Sequence, residues 1–453
     1  MKVALINPYV GSATHGRKEG EQLIYNYRRP PLELSYIANL LQKKGVNVKI
    51  IDGNIEELPP KNAALRAKDS DIIFVATAPY DKWQCPVLHF DHVMPYLKAL
   101  REINSQSKIY LFGPHVSIDP EYFLNSGYVD ALIVGEPEMK AVDLCFKRKE
   151  DVPSVMWKHN GKYIKSKKKD EYADIDKLFP AFEQLPMKKY EYQFLGKPTA
   201  VLETSRGCPY QCTFCFKDMV SSNYRMKSIS HVISELNYTV NKFKVRNIFF
   251  HDSELTLNKK RTDDLCKAII KNNLKIRWAC QTRADTIDLE TLKLMKKSGC
   301  RLLCFGIESG SDEVLKRIRK NISVEKIRRG ISLSNKAGIE TAGFFIIGLP
   351  DDTEKSINET INLAKQLPLD YATFQILTPY PNTAIYREFK SHFKEKFPKS
   401  FTLNFTPAEL EEIKNKAFAQ FYFRPSYVFR VFLKLIKHPI LTFKKFKLFL
   451  DYI

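Results

Sequence analysis

Three cysteines stand within eight residues of one another, at Cys208, Cys212 and Cys215 in the run Ser205-Arg206-Gly207-Cys208-Pro209-Tyr210-Gln211-Cys212-Thr213-Phe214-Cys215. Thiolates are the usual ligands of iron–sulfur clusters, and close spacing lets one loop supply several of them. A cube has four irons, so three thiolates leave one iron open. An open metal position separates a reactive site from a closed structural one. Other chemistries fit less well. A structural zinc site wants a fourth ligand, and the downstream His231 and His251 lack finger-like spacing. A disulfide would leave an odd cysteine.

The elements around this run are those a reactive loop needs. From about 198 to 395, strand-like and helix-like segments alternate, with strands predicted at 200–205, 246–251, 276–281, 301–306, 340–347 and 371–377. The cysteines follow the first of these strands. In parallel barrels the loops at the C-terminal ends of the strands converge on one mouth, and sites gather there.

The cysteine spacing, with the aromatic Phe214 before the last thiol, resembles the signature of the radical S-adenosylmethionine (radical SAM) enzymes. The resemblance implies a partial (βα)6 barrel and a 4Fe–4S cluster whose open iron is chelated by the amine and carboxylate of S-adenosylmethionine. In that family, an electron from the cluster breaks a carbon–sulfur bond and releases a 5′-deoxyadenosyl radical. It also implies S-adenosylmethionine contacts from Phe214, from Asp252 in His251-Asp252-Ser253-Glu254, and from Arg283 in Gln281-Thr282-Arg283-Ala284-Asp285. Glu308 in Gly306-Ile307-Glu308-Ser309-Gly310 would accept from the ribose hydroxyls, and Gly348 in Gly348-Leu349-Pro350 would let backbone approach the adenine. Ser253 and Leu255 depart from the family pattern, as does Asn382, where relatives have glycine. For Arg283, Glu308 and Asp252 a salt-bridge network rimming the barrel is the open alternative. No catalytic residue beyond the cluster ligands is identified.

Residues 1–150 alternate in the same way. Strands are predicted at 2–7, 46–52, 71–77, 108–113 and 129–134, and Leu34, Ile37, Ala38 and Leu41 form one stripe of a helix over 32–44. Such alternation implies an α/β fold with a parallel sheet, whose ligands bind beyond the carboxyl ends of the strands. Those ends are Asn7-Pro8-Tyr9, Thr77-Ala78-Pro79-Tyr80, Gly113-Pro114-His115-Val116 and Gly135-Glu136-Pro137-Glu138. Together with Pro31-Leu32-Glu33-Leu34-Ser35-Tyr36-Ile37-Ala38 and Val134-Gly135-Glu136, they resemble the cobalamin-binding domain fused to many radical SAM enzymes. That likeness implies a flavodoxin-like, Rossmann-like fold with Gly113, His115 and Gly135 against cobalamin. The Asp-x-His-x-x-Gly motif, which supplies a lower cobalt ligand in the methionine-synthase type, is absent. Three readings stay open: a corrinoid with its lower face unligated or water-capped, a substitute ligand such as His15 in the 8–31 loop, or a domain that has lost the cofactor and only shapes a cavity.

These segments divide the chain into a cobalamin-binding domain at 1–150, a linker at 151–197, a radical SAM barrel at 198–395 and a helical extension at 396–453. The linker carries the basic run Lys165-Ser166-Lys167-Lys168-Lys169 and a hairpin around Asn160-Gly161. In the extension, Phe429, Phe432, Leu433 and Ile436 fall at helical spacing, with Arg430, Lys434 and Lys437 on another face. Pro439 ends that helix, and Phe443, Phe446 and Phe449 repeat the scheme against Lys444, Lys445 and Lys447. Two readings are open: a helix lying in an anionic membrane interface, giving peripheral contact through 424–453, or a helix packed on the barrel.

The chain has 453 residues and a formal charge of +21, a field that favours anionic partners unless the lysines are simply spread over a solvated surface. Its nine cysteines lack paired extracellular spacing, the first residues read as a strand rather than a signal peptide, and no run of 18 apolar residues spans a membrane. The expectation is a cytoplasmic protein. Cys85, Cys145, Cys266, Cys280, Cys300 and Cys304 offer no second close triplet of the kind found in methylthiotransferases that modify transfer RNA, and read as inert buried thiols.

The leading functional reading is cobalamin-dependent methylation of an unreactive carbon in a lipid, natural-product or other small-molecule substrate, with an electron donor such as flavodoxin or ferredoxin. A second ends in oxidation or ring formation, as in the anaerobic magnesium-protoporphyrin ester cyclases. A third, an RNA-modifying or RNA-binding protein, is supported only by the charge, since no RNA-recognition motif is present. A cobalamin sensor without catalysis would leave the cysteine triplet unexplained.

Overall fold

Short, nearly continuous apolar runs become strands β1 (Lys2–Asn7), β2 (Asn47–Asp52), β3 (Ile72–Ala76), β4 (Lys108–Phe112) and β5 (Ala131–Ile133). Every residue of β3 is buried, as expected of a strand covered on both faces. These five are mutually parallel, and two antiparallel strands, β6 (Val155–His159) and β7 (Lys162–Lys165), extend the sheet. The order is β2-β1-β3-β4-β5-β6-β7. Its parallel part is the flavodoxin-like arrangement, whose switch point lies between β1 and β3. The computed structural model describes residues 1–9, 28–86, 88, 91–169 and 172–437.

The hairpin expected near Asn160-Gly161 is the β6–β7 turn. Asn160 (φ 48°) and Gly161 (φ 77°) supply the left-handed pair that a two-residue hairpin requires. The helix expected over 32–44 spans Leu32–Gln42, but its buried surface is wider than one stripe. Glu33, Ser35 and Tyr36 are buried along with Leu34, Ile37, Ala38 and Leu41, so a polar residue there must find its partners inside the protein.

The chain falls into two units. The first comprises Met1–Tyr190, Ala200–Pro209 and Cys215–Val245; the second comprises Glu191–Thr199, Tyr210–Phe214 and Arg246–Ile453. Strand β8 (Thr199–Leu202) leads towards the cysteine run. In the first unit two short strands, β9 (Ser205–Arg206) and β10 (Arg225–Met226), pair antiparallel and bring Arg206 opposite Arg225.

The second unit carries β11 (Asn247–Phe250), β12 (Arg277–Thr282), β13 (Cys300–Glu308), β14 (Glu340–Ile347) and β15 (Tyr371–Ile376), each parallel to the next. The connecting helices Lys259–Lys271, Leu289–Lys297, Val324–Lys336 and Glu354–Gln366 start on Asn258, Asp288, Ser323 and Thr353. Each of these side chains accepts a hydrogen bond from a first-turn backbone N–H, worth about 1 kcal/mol apiece. Periodicity and caps agree, so the βα repeats were readable from sequence.

Two polar side chains of the helix Pro425–Lys437 reach backbone carbonyls of the second unit. Arg430 donates to the Leu369 carbonyl (2.6 Å) and the Tyr427 hydroxyl to the Asp370 carbonyl (2.9 Å). Phe429, Phe432 and Ile436 are 62%, 57% and 64% exposed. This orientation is the reverse of a helix packed by its apolar face. The second tail helix expected around Phe443, Phe446 and Phe449, and His15, lie outside the described residues. Among the described residues no helix is long and apolar enough to cross a membrane.

Candidate active site

The cysteine run begins with Gly207 (φ 95°), where a side-chain carbon would collide with the Asn223 carbonyl. Glycine is therefore required for the chain to turn into the loop. The Cys208 N–H donates to the Ser221 carbonyl (3.2 Å), and Lys217 Nζ donates to the Cys208 carbonyl (3.2 Å). In the second unit the Thr213 N–H donates to the Ile318 carbonyl (3.0 Å) and Thr213 O accepts from Ile385 N–H (3.1 Å).

Cys208, Cys212 and Cys215 are all partly exposed, and Phe214 between them is half-buried. Cys266, Cys280, Cys300 and Cys304 are buried, and burial pushes the Cys266 thiol up to about 12 and the Cys280 and Cys300 thiols well up. Protonated thiols in apolar settings are poor ligands, so the donor set that suits iron is the loop. Among the described residues no three His, Cys, Asp or Glu side chains gather as ligands of one ion would. The ligands of a cube bind different irons and need not converge on a point.

At the C-terminal edge of the first sheet the chain presents backbone and one small hydroxyl. Gly113, after β4, has φ 119°, and a Cβ there would overlap Thr77 Oγ1 at the end of β3. The Thr77 hydroxyl is buried without a hydrogen-bond partner among the described residues, a free polar group facing bare backbone. Gly135 (φ 75°) follows β5. His115 sits in the turn of helix Pro114–Ile118, buried, its ring edge-on to His92 at 6.3 Å. Gly113 is thus glycine because Thr77 fills the space a side chain would take, and the unsatisfied Thr77 hydroxyl is a polar group at these strand ends that a ligand can engage.

The second sheet ends on charge. Arg283 forms a fork with Asp285 (Nε–Oδ1 2.9 Å, Nη2–Oδ2 3.0 Å) and lies 3.9 Å over the Tyr210 ring. A carboxylate ligand would share this guanidinium with Asp285. Glu308 adopts φ 67° at a register shift between β13 and β14, a conformation that costs an L-residue about 1 kcal/mol. Lys320 Nζ holds its Oε1 at 2.8 Å, and Gly306 leaves room, since a Cβ there would meet that oxygen at 2.5 Å.

Asp252 is fully buried after β11. Two residues on, Glu254 accepts from the hydroxyls of Thr256 (2.9 Å), Thr282 (3.0 Å) and Thr286 (3.0 Å), while burial raises its pKa. Gly348 (φ 80°) donates its N–H to Asp352 Oδ2 (3.1 Å), and a Cβ there would press on Leu410 at 2.8 Å. Its missing side chain makes room for the helix Pro407–Tyr422. Sequence reasoning missed Lys320 and Glu254, because nothing in their local pattern marks the partner each one finds.

It also missed a buried charge network in the first unit. Arg206, 1% exposed, donates through Nη2 to Glu138 (2.8 Å) and Glu203 (2.7 Å) and through Nε to Glu203 (3.0 Å), and pairs through Nη1 with Glu136 (3.3 Å). Its guanidinium lies over Tyr80 (5.4 Å) and Trp83 (5.8 Å), and the Tyr80 hydroxyl donates to Glu203. Burial would raise the Glu203 carboxyl, but Arg206 and Lys227 outweigh it and bring the pKa down to about 2. Lys227 Nζ donates to Tyr36 (2.9 Å), Glu235 (2.6 Å) and the Leu178 carbonyl (3.3 Å). Glu33 lacks such a cation, and its burial raises its pKa well above the ordinary value. Removing one member of such a buried pair costs about 3–5 kcal/mol, because the other charge is stranded.

A cavity of about 630 Å³ lies elsewhere in the second unit, lined by residues including Thr213, Arg317, Ile318, Leu349, Pro350 and Asp352. Asp252, Arg283, Glu308 and Gly348 do not line it.

The model of the Radical SAM superfamily matches residues 202–364, and that of the B12 binding domain matches residues 25–144. An uncharacterized methyltransferase of Pyrococcus horikoshii is 31% identical over 448 residues, covering 94% of this chain and 93% of its own. An anaerobic magnesium-protoporphyrin IX monomethyl ester cyclase of Rubrivivax gelatinosus is 25% identical over 405 residues, covering 86% of this chain and 70% of its own. Among solved structures, the cobalamin-dependent S-adenosylmethionine radical enzyme OxsB, with aqua-cobalamin and S-adenosylmethionine bound, matches with a TM-score of 0.73 at 17% identity. The match covers 92% of this chain and 66% of that one, a likeness of fold.

Proposed function

Because the chain belongs to the radical SAM superfamily, in the branch that carries a B12 binding domain, we propose that it methylates an unreactive carbon of a small-molecule or lipid substrate. The observation that carries this reading is the loop of three partly exposed thiols behind Gly207, set against four buried ones at Cys266, Cys280, Cys300 and Cys304. When bound, a 4Fe–4S cluster with S-adenosylmethionine supplies a carbon-centred radical, and cobalamin supplies a methyl group.

The chain's own residues bind and orient. Cys208, Cys212 and Cys215 would ligate a bound cluster, and Lys217 fixes the loop through the Cys208 carbonyl. Arg283, Asp252, Phe214 and Gly348 are assigned to S-adenosylmethionine. Lys320 fixes the direction of the Glu308 carboxylate, which is assigned to the ribose hydroxyls. Gly113 and Gly135 bring bare backbone to the corrinoid, with Thr77 and His115 beside them.

Anaerobic reconstitution with iron, sulfide and hydroxocobalamin tests this reading through metal analysis and visible spectra, followed by product analysis with S-adenosylmethionine and a reductant. Methylation yields S-adenosylhomocysteine beside 5′-deoxyadenosine. The cyclase-named relative favours a second reading, oxidative ring formation, which yields 5′-deoxyadenosine without S-adenosylhomocysteine.

The exposed face of Pro425–Lys437 supports peripheral contact with an anionic membrane, in keeping with a net charge of +21. Replacing Phe429 and Phe432 by serine should abolish sedimentation with anionic vesicles; unchanged sedimentation would remove the helix as an anchor. The same charge suits an acidic electron donor such as flavodoxin or ferredoxin.

A further inference from the structure

Two loops that the proposed function assigns to different cofactors are tied by one buried side chain. Arg206 is separated from Cys208 only by Gly207, and its position in β9 is fixed by pairing with β10. Its guanidinium is held by Glu136 and Glu138, which directly follow Gly135 beyond the end of β5, and by Glu203 on its own segment. Arg225, opposite Arg206, clasps Glu136 from the other side (3.0 Å) and donates to the Ala173 carbonyl (2.8 Å). The stretch from Gly135 to Glu138 therefore moves relative to the Cys208 end of the loop only if buried ion pairs break.

We propose that Arg206 is a positioning residue that couples the two cofactor loops. Occupation of the corrinoid cradle at Gly113 and Gly135 sets the geometry of the loop at Cys208, and a bound cluster in turn tightens the cradle. Coupling between two bound ligands is reciprocal, and such couplings typically amount to about 5- to 150-fold in affinity. The planar fork matters here, because one guanidinium meets three carboxylates in fixed directions. A lysine can satisfy one or two of them as a point charge. This inference rests on the functional reading given above.

The test uses the full-length reconstituted protein as wild type, Arg206→Lys and Glu138→Gln. Each is titrated with hydroxocobalamin and followed by its visible spectrum. The reduction potential of the iron–sulfur centre is measured with and without the corrinoid. The expected result is unchanged iron content, corrinoid affinity lowered about tenfold or more, and loss of the potential shift that corrinoid binding causes in the wild type. Glu138→Gln keeps volume and hydrogen bonding and carries the test should Arg206→Lys fail to fold. Arg101→Met removes a cation of the same unit that pairs with Asp130 (2.6 Å) before the start of β5, at the opposite edge of the sheet, and should leave both readouts within about twofold of the wild type. Wild-type affinity and potential shift in both Arg206→Lys and Glu138→Gln would overturn the coupling, as would an equal loss in Arg101→Met. A wild type that takes up iron but no corrinoid would overturn the functional reading together with this inference.

Discussion

The ends of β3 and β4 in the first sheet and the strand ends of the second are built from different materials. The first offers two glycines of positive φ, Gly113 and Gly135, and the unsatisfied Thr77 hydroxyl packed against Gly113. The second offers Arg283 paired with Asp285, Glu308 paired with Lys320, and Glu254 ringed by three threonine hydroxyls. A broad ligand is best met by a surface that can approach it closely, whereas a small zwitterion is best met by charges whose directions are fixed beforehand. One chain thus uses absence of side chains in one place and an excess of partnered ones in the other.

The contrast breaks most completely at Gly113. Gly113→Val adds a branched side chain where even a single carbon overlaps Thr77, at a φ that L-residues avoid. Corrinoid binding, read from the visible spectrum, should be lost while iron uptake persists. At the second edge the charge itself is the target. Lys320→Met strands the buried Glu308 carboxylate and should cost about 3–5 kcal/mol in denaturant unfolding, whereas the double variant with Glu308→Leu should recover most of that loss.

Two carboxylates sharpen the same contrast within the first unit, one held by neutral donors and one by cations. Asp52 is buried with only Asn7, Tyr190 and backbone N–H groups to hold it, and burial lifts its pKa to about 6. The folded state then holds a proton that the unfolded state releases. Its contribution to stability is full below pH 4 and is lost as pH rises through about 6, up to about 3 kcal/mol. Glu203 runs the other way. Its pKa of about 2 gives stability that is present above the ordinary carboxylate range and lost as pH falls towards 2. Unfolding free energies between pH 3.5 and 7 should therefore fall less with rising pH in Asp52→Asn, and rise less in Glu203→Gln, than in the wild type.

The smallest effect concerns the buried thiols. Cys280→Ala should keep iron uptake and cost roughly 1 kcal/mol, the value of a small buried group. Iodoacetamide at pH 8 should label the cluster-free protein at Cys208, Cys212 and Cys215 and spare Cys266, Cys280 and Cys300.

Much of this architecture was legible because local and global preferences agree. The parallel strands of both sheets lie within a few residues of their expected positions, since buried parallel strands are continuous apolar runs. What escaped was pairing over distance. Arg206 meets Glu138 across 68 positions and Lys227 meets Tyr36 across 191. No periodicity encodes such partners. Glu33 was hidden differently: it sits in a helix that is buried beyond one stripe, so the amphipathic template places it in water when it is inside. Gly348 was visible as a glycine with a purpose, yet the neighbour that needs its space is Leu410, from a helix 60 residues onward. The last described helix shows the expected periodicity with its aromatic face turned outward, because Tyr427 and Arg430 find carbonyls just before β15.

The β6–β7 hairpin carries a consequence for solubility. β7 is the outermost strand of its sheet, and an outer strand with open hydrogen-bonding groups can template the strand of another molecule. Here that margin reads Lys162-Tyr163-Ile164-Lys165 and continues into Lys167, Lys168 and Lys169. A second copy aligning along it would bring like charges together for the length of the strand, so the sheet can stop growing at β7 without a covering helix.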